Sequence, residues 1–127
     1  MSNAQLFQFR YSKERDLVDL QFKVSVGASG APTVVNGKGL LSITRNSAGN
    51  YTLVLRDRYF LFMDSHVMFI SGSSAPAAPL VNLVSEQVNN ASSPQVIMQC
   101  RDIAAAAADP ASGEVMLIKI KCRNAST

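Results

Sequence analysis

The sequence predicts an all-β fold, an antiparallel β-sandwich of about eight short strands. Three observations carry this. Apolar and polar residues alternate at period two in several segments, above all Val18, Leu20, Phe22, Val24 and Val26, and that is the period of a strand with one buried face. Clusters of Gly, Pro, Asn and Ser cut these segments at short, fairly even spacing, as in a sandwich or small barrel. With 127 residues, 47% of them hydrophobic, the chain suits one domain over 1–127 and leaves too little length for two.

The elements follow in chain order. Residues 1–12 hold Leu6, Phe7, Phe9 and Tyr11 against Gln8 and Arg10, an N-terminal arm or an edge strand. The run 18–26 is the clearest strand, and GASGAP breaks it. Within 37–56, Leu41 and Ile43 alternate with Ser42 and Thr44. After a turn rich in Asn, Ser and Gly, Tyr51, Leu53 and Leu55 alternate with Thr52, Val54 and Arg56, so the segment reads as a hairpin. Residues 59–63 form a dense apolar cluster expected in the core, and a separate apolar run, 67–70, stops at SGSSAPAAP. The Ala-Pro pairs make that stop extended, because the residue before proline is pushed out of the helical region and proline cannot donate to a ladder.

A short strand over 80–84 is closed by VNNASSP. Val96, Met98 and Cys100 alternate in the next strand, and the last, 115–122, places Met116, Ile118, Ile120 and Cys122 on one face. The alanine run 103–108 has high helix propensity but is far shorter than the ~12 residues an isolated helix needs, so it reads as loop ended by Asp109-Pro110. The jelly roll is one way of arranging such strands.

Composition narrows the function. Charged residues make up 17%, below the ~25% usual in soluble proteins, which makes the surface a candidate for cover by another molecule. The formal net charge is +3, with basic residues dispersed from Arg10 to Arg123, and no cluster tracks a phosphate backbone, so no nucleic-acid partner is expected. MSNAQLFQFRYSKERD lacks the pattern of a secretory signal, and no apolar run reaches the ~20 residues of a membrane span. The expectation is a protein made in the cytoplasm, with no membrane partner. Cys100 and Cys122 are then expected as reduced core thiols, and the sequon matches at Asn50, Asn90 and Asn124 lose meaning.

No catalytic residue, metal ligand or cofactor site is expected, and the chain does not read as an enzyme. Asp64-Ser65-His66 suggests a hydrolase triad, but neighbours in one extended segment point to alternate faces, and His66, the only histidine, reads as a turn residue. His66, Cys100 and Cys122 lack paired metal-ligand spacing. Carboxylates for glycoside chemistry would have to come from Asp57, Asp64, Asp102, Asp109 or Glu114, yet there is no Trp to stack a sugar ring, and the aromatics near Phe60 read as core. Gly37-Lys38-Gly39 has no following helix and reads as a turn.

Two features suit association. The arm carries Leu6, Phe7, Phe9, Arg10 and Tyr11, the mixture of aromatics and arginine that interfaces enrich. The nearly uncharged loops 28–34, 71–79 (with Pro76 and Pro79) and 89–94 are expected to be mobile when free and ordered against a neighbour.

The segment GLLSITRNSAGNYTLVLRDRYFLFMDSHVMF and the closing DPASGEVMLIKIKCRNAS resemble a pattern in small structural proteins of tailed bacteriophages. That pattern is a glycine-led strand ending in S-x-T-R, an A-G-x-Y-T hairpin, a leucine and aromatic segment, and a D-P-A-S-G turn into the last strand. The resemblance covers about half the chain and is carried by Gly39, Arg45, Gly49, Tyr51, Pro110 and Gly113. It implies a capsid decoration (cement) protein, located on the outside of the virion head, which bridges major capsid protein subunits and stabilises the DNA-filled shell. Its partners would be the major capsid protein and further copies of itself, as dimer or trimer. The alternatives are a tail or baseplate accessory protein of the virion, and a receptor- or glycan-binding β-module.

Overall fold

The computed structural model describes residues 17–71 and 76–124. These form eight strands: β1 (Leu17–Val26), β2 (Pro32–Asn36), β3 (Leu40–Ser47), β4 (Asn50–Leu55), β5 (Leu61–Ile70), β6 (Leu80–Gln87), β7 (Gln95–Arg101) and β8 (Val115–Arg123). Two four-stranded sheets result, ordered β2-β1-β8-β5 and β3-β4-β7-β6. Every pairing is antiparallel. One hydrophobic core joins their inner faces, so the fold is a β-sandwich.

The four central strands supply most of that core. Leu20, Phe22, Val24 and Val26 of β1 and Met116, Ile118, Ile120 and Cys122 of β8 are buried. They face Tyr51, Leu53 and Leu55 of β4 and Val96, Met98 and Cys100 of β7, also buried. Each of these rows is one that the period-two alternation predicts, except that Val18, expected in the β1 row, is only half-buried near the strand's start. Full burial of a Val, Leu, Ile, Phe or Met side chain stabilises by about 1.5–3 kcal/mol, and a one-residue slip would turn a whole row to solvent, so register is strongly specified here.

The outer strands depart from expectation. Residues 32–36 fall partly within the expected loop 28–34 but form β2, hydrogen-bonded to β1. In β3 a register shift between Leu40 and Ser42 makes Leu40 the buried residue and leaves Leu41 58% exposed, reversing the expected inner position of Leu41. The cluster 59–63 and the run 67–70 mostly belong to one strand, β5, with a shift between Phe62 and Asp64. Only Tyr59 of that cluster is buried; Phe60, Leu61 and Met63 are each 44% exposed, so the expectation of a core cluster near Phe60 fails. β6 runs on to Gln87, and His66 lies within β5 rather than in a turn.

The loops 89–94 and 102–108 make internal hydrogen bonds and bonds to the strands. Asn90 Oδ1 accepts the backbone N–H groups of Ser92 and Ser93, and Pro94, buried, gives its carbonyl to the Leu55 N–H at 2.8 Å. Residues 103–108 form turns without helix, closed by Asp102 Oδ1, which accepts from the N–H groups of Ala104 and Ala106.

Asp109 ties this loop to the β3-β4 hairpin. Its carboxylate accepts Arg45 Nε at 2.9 Å, Arg45 Nη2 at 2.8 Å and the Gly49 N–H at 2.7 Å. Tyr51, fully buried, donates its hydroxyl to the Gly30 carbonyl at 2.6 Å, so its ring sits in the core while its oxygen fixes a loop. Gly49 has φ +72°, and a Cβ there would collide with the carbonyl oxygens of Cys100 and Ala108, which leaves glycine as the residue that fits. Gly39 and Gly113 also adopt positive φ, and Pro110 is buried. The residues that carry the resemblance are thus turn and lock positions of this fold.

Candidate interaction surface

The outer face of the first sheet is laid out in rows across β1, β8 and β5. From one end these are Ser25-Val115-Ile70, Lys23-Leu117-Met68, Gln21-Lys119-His66 and Asp19-Lys121-Asp64. The inner-row residues between them belong to the core, so the strict alternation of β1 and β8 sets which side chains point out. The result is a graded surface, apolar at one end and charged at the other. Met68 is 56% and Ile70 51% exposed, beside half-buried Leu117 and Val115. A shallow cleft of about 360 Å³ sits over the middle rows, lined by Gln21, Lys23, Asn36, His66, Met68 and Lys119 among others.

The charges here are solvated. Lys121 Nζ lies 4.0 Å from Asp19 Oδ1 with both side chains at least 41% exposed, a pair of the kind that contributes ~0–1 kcal/mol. Asp64 and His66 share this outer face while Ser65 pairs with Ile120 on the inner one, so the three do not converge into a nucleophile, base and orienter. Among the described residues no group of three His, Cys, Asp or Glu side chains is placed to hold a metal ion. The chemistry this surface offers is apolar contact flanked by Lys23 and Lys119.

The outer face of the second sheet differs. Its rows Ser47-Asn50-Gln99-Asn82 and Thr44-Thr52-Ile97-Ser85 are largely uncharged and polar. Arg101 bonds Asn82 Oδ1, Gln99 Oε1 and the Ala105 carbonyl, so its guanidinium is engaged within the chain.

Of the residues singled out in the sequence, Leu6, Phe7, Phe9, Arg10 and Tyr11 lie outside the described residues. Pro76 is half-buried before β6. Pro79 lines a groove of about 330 Å³ between β5 and β6, with Ser65, Val67, Val81 and Leu83. Sequence reasoning missed Met68 and Ile70, which sit in an apolar run where periodicity alone does not say which members point out; the alternation of β8 set Leu117 opposite its buried row but gave no sign that it joins an apolar patch.

Both cysteines are free and buried, one in each sheet. Burial pushes the Cys100 thiol up to about 12, with the nearby Asp109 charge adding to it, and the Cys122 thiol up to about 11. Such thiols stay protonated and unreactive.

No family model, no curated protein and no solved structure matches this chain.

Proposed function

We propose that the protein is a non-enzymatic structural component of a virion, a head decoration protein that binds the outer capsid surface and bridges major capsid protein subunits. The observation that supports this is the apolar end of the first sheet's outer face, where Met68, Ile70, Leu117 and Val115 line up beside Lys23. An apolar patch with a polar rim marks a protein contact. The cleft over this face lacks an exposed aromatic platform, since Phe22 in its floor is 2% exposed, and that favours a protein partner over a glycan. Many copies on a repeating lattice let each contact be weak while the shell gains much, and a ligand that binds only the closed shell stabilises it by linkage.

Within the sandwich, β1-β2, β3-β4 and β6-β7 are neighbours in sequence and in the same sheet, which supports a sandwich of hairpins over a jelly roll. The test is sedimentation with purified capsids. Met68→Glu with Ile70→Glu should abolish co-sedimentation while leaving the unfolding midpoint unchanged, and particles lacking the protein should release DNA at lower temperature. Hundreds of copies per particle fit the head. A handful would point to the tail or baseplate instead, and no effect of the double substitution on binding would remove this face from the proposal.

A further inference from the structure

We propose that the cleft on the outer face of the first sheet takes an extended segment of a partner protein in which a carboxylate stands two residues from an apolar side chain. The inference deepens the capsid reading and rests on its choice of this face as the contact surface.

The unpaired cations are the first observation. Lys23 and Lys119 are exposed and line the cleft. Among the described residues the ion pairs are Arg45 with Asp109 and Lys121 with Asp19, so neither of these two ammonium groups has a carboxylate. The acidic residues of this face, Asp19 and Asp64, both stand in the row of Lys121, at its charged end. By contrast, Arg101 on the second sheet has its guanidinium taken up by Asn82, Gln99 and the Ala105 carbonyl.

Their placement around the apolar patch is the second. Lys23 lies beside Leu117 in one row, with Met68 on the far side of Leu117, and Lys119 lies two residues further along β8. The two lysines are therefore diagonal neighbours about 7–8 Å apart, and they flank the patch of Leu117, Met68, Val115 and Ile70 on two sides. Their methylene stems are themselves apolar and widen it. Along β8, Leu117 is ~7 Å from Lys119, and across the sheet Met68 is two strand spacings, ~10 Å, from Lys23. Side chains on one face of an extended segment repeat every ~7 Å. Whether such a segment runs along β8 or across the strands, a carboxylate over either lysine brings the side chain two residues on over Leu117 and Met68.

The patch and the charges together decide the chemistry. A phosphate backbone would meet the lysines but leave Met68 and Ile70 uncovered, and its next phosphates would face Asp19 and Asp64. A wholly apolar segment would cover the patch while desolvating two unpaired ammonium groups, which costs free energy. A segment that carries both kinds of side chain matches both parts of the surface.

The experiment is titration of the full chain, followed by two-dimensional amide NMR, with the peptide Ac-Glu-Ser-Leu-Ser-Leu-NH2 and with its analogue carrying Gln for Glu. Shifts should fall around Lys23, Leu117, Lys119 and Met68, and the Glu peptide should bind at least about threefold tighter than the Gln one. That preference should vanish in Lys23→Gln with Lys119→Gln, and at about 0.5 M salt, where screening acts within a few Å. Equal binding of the two peptides by the parent, shifts elsewhere, or no binding would overturn the proposal. So would the same shifts appearing on concentration of the protein alone, since a second copy would then hold the cleft. Sedimentation with capsids separates this inference from the reading beneath it. Attachment lost with Met68→Glu and Ile70→Glu but kept with Lys23→Glu and Lys119→Glu would overturn the acidic partner alone, whereas attachment kept in both variants would remove the face from both.

Discussion

Replacing Tyr51 by Phe removes one oxygen and leaves every packed carbon in place. That oxygen donates to the Gly30 carbonyl at 2.6 Å, and Gly30 is itself buried, so the carbonyl is left without its donor in a site closed to water. Losing a buried hydrogen bond and stranding its acceptor costs ~1–3 kcal/mol, and about 2 kcal/mol is expected here. This is less than a large-to-small change such as Leu53→Ala, for which core substitutions cost about 2–5 kcal/mol. For a domain of this size each kcal/mol lowers Tm by about 3–5 °C, which puts the variant roughly 6–10 °C below the parent. Urea unfolding followed by far-UV circular dichroism should show a lower midpoint at an unchanged slope. A midpoint equal to the parent's would refute the idea that the hydroxyl fastens the 27–31 turn to β4, and an altered slope would place the effect in the compactness of one state instead.

Two further outcomes follow from the titratable groups. The hydrogen bonds from Arg45, and behind them the Gly49 N–H, hold the Asp109 carboxyl below the usual range despite its partial burial. A depressed carboxylate contributes stability that is present above the unfolded value near pH 4 and is lost as pH falls through the folded value. Asp109→Asn should therefore be less stable than the parent at pH 7, and the gap should narrow as pH drops below about 4. A gap constant from pH 7 to pH 2 in the measured unfolding free energies would contradict this. Native protein should react slowly with a thiol reagent and the denatured, unreduced protein with two equivalents, since Cys100 and Cys122 are buried and free. Absence of free thiol after denaturation would reveal a disulfide.

The sequence by itself determined the β class, the hairpin at 40–55 and the inner rows of β1, β4, β7 and β8. Those strands lie in the middle of their sheets, where one face is wholly sealed, so any polar residue on it would be costly and the alternation is strict. Arg45, Gly49 and Tyr51 stood out only as residues that carry the resemblance, and Asp109, read as the end of the alanine run, gave no local sign of its pairing with an arginine sixty-four residues away. Tertiary structure alone decided which residues of the outer strands face the core. β2 is short and exposed over most of its length, β3 and β5 absorb an extra residue at a register shift, and each shift moves the later residues to the opposite face. Leu41, Phe60, Met68 and Ile70 are as apolar as their buried neighbours, and only the pairing of strands far apart in the chain sets which of them meets the core. Met68 and Ile70, half of the apolar surface that supports the functional reading, are such residues, because an outer strand has one neighbour instead of two and its alternation is correspondingly weakly enforced.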